Sequence, residues 1–135
     1  MAHKAGKFLR IFFGCHARPD RSFYFHGKQF PICARCTGEL IGMIAGIPLA
    51  VFLGVPHFWI VILMIFPLVL DGFVQRLTSY ESTNTRRLLT GILFGIAFIF
   101  AFIYFHRLCI YLAGCVLKLF GADPSAVDRV MEKFV

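Results

Sequence analysis

The chain has 135 residues, a net charge of +7 and a mean hydropathy of +0.76, with 59% apolar and 16% charged residues. Soluble domains run at about 45–50% apolar and about 25% charged. A chain this short has too little interior to hide the difference, which excludes a soluble domain, a disordered chain and a fibre and leaves a single-domain integral membrane protein whose cations need a place outside the bilayer.

At the N-terminus, Arg10 interrupts an apolar run too short for a signal peptide. Lys4, Lys7 and Arg10 set against Phe8, Leu9, Ile11 and Phe12 predict a basic amphipathic segment lying on the membrane. Cys15-His16, His26 and Cys33-Ala-Arg-Cys36 then follow in one short segment. Thiolates and imidazole at such spacing suit a tetrahedral zinc ion. Cys15 and His16 are adjacent and reach one ion together only with difficulty. One of them is expected to join Cys33 and Cys36 as a ligand, with the other standing behind it. Three protein ligands plus water suit catalysis, and four closed ligands suit structure. A CxxC at the mouth of a membrane helix also suits thiol–disulfide exchange.

Three apolar stretches, 37–54, 57–75 and 88–105, each approach the ~20 residues that span a bilayer. A fourth, Leu108 to Phe120, is shorter and reads as a short span, a re-entrant piece or an extension of the third helix. The expected fold is therefore all-α. It is a polytopic membrane bundle of three spans and a short fourth hydrophobic helix over 37–120, preceded by a cysteine/histidine loop (1–36) and followed by an amphipathic tail (121–135). In the tail, Asp123-Pro124 suits a helix start, and Val127, Val130, Met131 and Phe134 fall on one face. Gly38, Gly42 and Gly46 in the first span, and Gly91 and Gly95 in the third, recur at the spacing that lets helix backbones approach closely. They predict either contact between those two spans or homo-oligomerisation. Pro48 and Pro67 should kink the first and second spans.

Charge sets the expected orientation. Residues 1–36 and 76–87 hold ten of the fourteen basic residues, whereas the Val55-Pro56 turn holds none. Lys and Arg favour the cytoplasmic side. The reading is a multi-pass protein of the cell (plasma) membrane with a cytoplasmic N-terminus. The excess charge is no free basic face, so no nucleic-acid partner is expected.

Asp71 and Gln75 lie one turn apart near the cytoplasmic end of the second span, and Glu39 lies one turn into the first. Ionisable groups at such depth face a partner or a polar cavity. Arg87, on the same helix face as Gly91 and Gly95, is the expected partner of Asp71. Ser82-Thr83-Asn84 suits a helix cap, and with Arg86 and Arg87 it offers an anion site as well as ordinary anchoring.

Taken together, Cys15-His16, Arg21-Ser22-Phe23, Cys33-Ala34-Arg35-Cys36-Thr37-Gly38, Asp71-Gly72 with Gln75, Ser82-Thr83-Asn84, Arg87 and Thr90-Gly91 resemble a family of small prokaryotic integral membrane proteins catalogued as a domain of unknown function. The resemblance covers about residues 15 to 95. It implies a multi-span membrane protein whose polar residues form one shared signature, and no settled activity.

Three functions compete. The first is a zinc-dependent membrane hydrolase or transferase, with zinc on Cys33, Cys36 and Cys15 or His16. Asp71 and Gln75 would be its catalytic residues, and Arg21, Arg35, Asn84 and Arg87 would hold an anionic lipid or phosphate-bearing substrate at the cytoplasmic face. The second is a non-catalytic scaffold or transport module stapled by structural zinc. The third is a membrane thiol oxidoreductase using Cys33 and Cys36.

Overall fold

The computed structural model describes residues 2–132, with side chains from residue 6 onward. Helix α1 covers Ala2–Phe12. A single 3-10 turn follows at Pro19–Arg21, and then a two-residue hairpin pairs Tyr24–Phe25 with Lys28–Gln29. Helices α2 (Ala34–Leu53), α3 (Phe58–Leu77) and α4 (Asn84–Leu119) are the three helices long and apolar enough to cross a membrane. Helix α5 covers Pro124–Glu132. Lys133 and Phe134, and the side chain of Lys4, lie outside the described residues.

The small hairpin has no apolar alternation to announce it. Its turn places His26 and Gly27 at φ 48° and 73°, as a two-residue connection matched to strand twist requires. Gln29 then anchors the hairpin through its side-chain amide, which donates to the Ala17 carbonyl (2.7 Å) and the Ser22 hydroxyl (3.2 Å). Phe8, Ile11 and Phe12 on α1 are exposed, and Arg10 ties that helix to the Pro31 carbonyl at 2.6 Å.

Leu108 to Phe120 forms no separate short helix. Of the three alternatives, the extension of the third helix is the one observed. No proline or glycine lies between Phe105 and Leu108, and the polar His106-Arg107 pair leaves the backbone helical, so α4 runs on for 36 residues. At 1.5 Å per residue such a helix is about 54 Å long, well beyond a hydrocarbon core of about 30 Å. Its far end is met by α5, which folds back against it. Val127 is buried there, and the Met131 side chain covers Gly114. The Asp123 carboxylate accepts from the Ser125 N–H at 3.1 Å, starting α5.

Helix α4 is the axis of the bundle, packed most extensively on α2. A Cβ at Gly38 or Gly42 would strike the carbonyl oxygen of Leu88 or Ile92, and one at Gly91 or Gly95 would strike that of Arg35 or Glu39. The two glycine series therefore face one another, so that backbone meets backbone. Towards the α2–α3 turn, Val61, Ala97 and Phe100 form the buried apolar cluster. There Gly54 ends α2 at φ 75°, and the Tyr104 hydroxyl donates to the Pro56 carbonyl (2.8 Å). The opposite end of the bundle gathers the start of α2, the end of α3 and the start of α4. Pro48 and Pro67 lie inside α2 and α3, each of which continues past its proline as a single helix.

Candidate metal centre

Cys33 is the residue before the first turn of α2, and its carbonyl receives the Thr37 N–H at 2.9 Å. Cys36 lies one turn on, which puts both sulfurs on one side of the helix start. They are 3.5 Å apart. The third sulfur comes from the N-terminal loop. The backbone N–H groups of Cys33 (3.1 Å) and Ala17 (3.4 Å) both donate to Cys15 Sγ. Ala17 adopts the left-handed region at φ 44° to make that turn. The three sulfurs all lie within 4.8 Å of one another. Zinc–sulfur bonds of about 2.3 Å in a tetrahedron place sulfurs about 3.8 Å apart, so the donor set fits zinc with small adjustments.

Cys15 rather than His16 takes the third place. His16 is exposed and stands outside the group, as does His26 on the hairpin turn. No fourth His, Cys, Asp or Glu joins the three sulfurs among the described residues. Cys109 and Cys115 are exposed on the far part of α4.

The Cys36 contact, the largest influence, holds the Cys33 thiol well below the ordinary cysteine value, at about 5. Its thiolate therefore persists at any pH above that and is lost by protonation below it. In metal-free protein, iodoacetamide labelling of Cys33 is expected to rise with a midpoint near pH 5, whereas a free thiol has a midpoint near about 8.5. Added zinc should block the labelling. Peptide mapping of the alkylated protein against pH checks both.

Arg35, between the two CxxC cysteines, carries the site towards α3. Its guanidinium pairs with Asp71 Oδ2. Gln75, one turn on, donates to the same oxygen at 2.6 Å. Arg87 is not the partner of Asp71. It is buried, and it donates to Gln75 Oε1 (3.3 Å) and Asn84 Oδ1 (3.4 Å). The reason is positional. Arg35 reaches across from the start of α2, and Gln75 takes the guanidinium of Arg87 on its own amide oxygen.

Beside this network lies a cavity of about 480 Å³ lined by Arg21, Arg35, Arg76, Gln75, Tyr80 and Glu81 among others. Of the four residues expected to bind an anion, Arg21 and Arg35 line it, whereas Asn84 and Arg87 do not. Glu81, Tyr80 and Arg76 are participants that the sequence did not single out. Glu81 accepts from Arg21 at 3.0 Å, a pairing across 60 positions that no local pattern signals. Tyr80 receives a hydrogen bond from Arg86 (2.9 Å), which also stacks over its ring.

The family model described as "Predicted membrane protein (DUF2085)" matches residues 15–101, and so takes in all three cysteines, Arg35, Asp71, Gln75 and Arg87. The chain belongs to the DUF2085 family. Its long apolar helices are therefore those of a membrane protein. An uncharacterised protein of Methanothermobacter thermautotrophicus is 35% identical over 92 residues, covering 65% of this chain and 83% of the relative. An uncharacterised protein of Methanocaldococcus jannaschii is 33% identical over 92 residues, covering 64% of this chain and 59% of that longer relative. No solved structure matches. The family match stops at residue 101, inside α4, so the far half of that helix and α5 lie beyond it.

Proposed function

We propose that this DUF2085 protein is a zinc-dependent membrane hydrolase or transferase acting on an anionic headgroup at the cytoplasmic face. The observation that carries the reading is the donor set of Cys15, Cys33 and Cys36, three sulfurs with no fourth protein ligand among the described residues. Three protein ligands with an open position are the pattern of catalytic zinc sites. A zinc ion held there supplies Lewis-acid polarisation of a substrate oxygen. The N–H groups of Cys33 and Ala17 would offset thiolate charge at Cys15. Arg21 and Arg35 offer fixed positive charge to a phosphate in the cavity they line. Arg35 joins the cysteine motif to Asp71, and Gln75 orients that carboxylate for proton or hydrogen-bond acceptance from substrate. The orientation rests on the basic residues gathered at this end of the bundle.

The 3.5 Å between the Cys33 and Cys36 sulfurs, with Cys33 held at about 5, favours thiol exchange as a second reading. Metal analysis of the purified protein separates the two. The enzyme reading expects about one zinc per chain. A reversible Cys33–Cys36 disulfide without metal would replace it with the redox reading. Given zinc, Asp71→Asn is then expected to keep metal and helix content but abolish headgroup turnover, followed by phosphorus NMR in nanodiscs of phosphatidylglycerol. Turnover by neither protein, or loss of metal and fold in Asp71→Asn, makes the zinc a structural staple of the N-terminal loop.

A further inference from the structure

The Asp71 carboxylate is 2% exposed, and its two oxygens are treated unequally. Oδ2 accepts from both Arg35 and Gln75, whereas buried Oδ1 has no hydrogen-bond partner among the described residues. The Arg86 guanidinium stands 4.0 Å from Oδ1, beyond hydrogen-bond reach. A buried carboxylate oxygen left in this state loses a stabilising contact that a donor would restore. Space for that donor is present. A cavity of about 260 Å³ between α3 and α4 is lined by Asp71 and Arg86 at its polar side and by Phe66, Leu70 and Val74 along α3. Phe66 and Leu70 are exposed on a helix apolar enough to span the membrane. The cleft thus opens sideways onto the position of the lipid chains, not only towards water.

We propose that this cleft binds the headgroup of a membrane lipid carrying both an anionic phosphate and a hydroxyl, as a phosphoglycerol lipid does. The hydroxyl donates to Asp71 Oδ1, the one acceptor in the cleft without a partner. The phosphate pairs with Arg86, because the single charge of Asp71 is shared between Arg35 and Arg86 and leaves one positive charge over. Tyr80 holds Arg86 in place from below by hydrogen bond and ring contact. The first part of the acyl chain lies along Phe66 and Leu70. This cleft is separate from the cavity lined by Arg21 and Arg35, so it adds a second site, for an intact lipid, to the proposed function, and binding there needs no turnover.

Native mass spectrometry of the purified full-length protein, titrated with short-chain lipids in detergent, tests it. Phosphatidylglycerol is expected to bind about tenfold or more tightly than phosphatidylcholine or phosphatidic acid methyl ester, which lack the hydroxyl. Arg86→Ala and Leu70→Trp, the second filling the cleft, should each remove that preference. Equal binding of the three lipids overturns the proposal, as does a preference untouched by Arg86→Ala. Soluble glycerol phosphate binding as tightly as phosphatidylglycerol overturns the lipid source. If either variant fails to fold, the comparison among lipids on the unaltered protein still decides. Zinc is measured on the same samples. Protein that holds zinc but shows no lipid preference fails this inference alone, and protein that prefers the lipid without zinc fails the metal reading alone.

Discussion

Cys36→Ser and Cys15→Ser are each expected to strip the protein of zinc, while His16→Ala keeps it. Changes to residues behind a metal ligand cost about 10–100-fold in affinity. Loss of one of three thiolates should exceed that, because a structural zinc site draws on the order of 10–16 kcal/mol from its full ligand set. Elemental analysis after dialysis against a mild chelator reads the result directly. Cys109→Ser and Cys115→Ser are the controls, since both sulfurs sit on the exposed far part of α4. Zinc lost in His16→Ala and kept in Cys15→Ser would reverse the assignment within the adjacent pair. The structure favours Cys15 because two backbone N–H groups converge on its sulfur while His16 is exposed.

Gly42→Ala should destabilise the bundle by roughly 1–3 kcal/mol, the usual cost of overpacking a tight interface. The added methyl would meet the Ile92 carbonyl and the Gly95 Cα, both backbone atoms that cannot swing aside. Helices α2 and α4 must then separate along the face that holds the bundle together. Gly72→Ala is the matched comparison, because nothing lies within 4 Å of its added Cβ. There the change should be neutral or stabilising by up to about 1 kcal/mol from helix propensity. Denaturant unfolding of the two variants in detergent, followed by helix circular dichroism, checks the contrast. Equal effects would mean that the glycine face does not set the α2–α4 distance. Because the site borrows Arg35 from the first turn of α2 and Arg87 from the start of α4, Gly42→Ala should also loosen zinc binding.

Much of the architecture was legible because its causes are local. Each span is a run of apolar side chains longer than any turn signal inside it, so composition marks it without knowledge of its neighbours. Glycines four residues apart mark a helix face fit for close approach, and the structure supplies its partner. The CxxC is legible for the same reason, since one helical turn brings Cys33 and Cys36 together wherever the helix goes. The limit of α4 was less legible, because the polar His106-Arg107 pair divides its apolar run in two although neither residue breaks a helix. The hairpin at Tyr24–Gln29 escaped notice because its strands are two residues each, too short for alternation to register.

The sequence by itself determined that this is a membrane protein, where its three long apolar helices lie, and that cysteines, a carboxylate and arginines cluster near their ends. Each of those depends on residues at most a few positions apart. Only the tertiary structure decided which of them meet. Cys15, not His16, joins the CxxC because the Ala17 turn and the Cys33 N–H hold its sulfur there. Arg35, not Arg87, pairs with Asp71 because α2 and α3 bring their ends together across a gap of 36 positions. Such pairings depend on how the N-terminal loop folds back on α2 and how the helix ends come together, which no single stretch of sequence encodes.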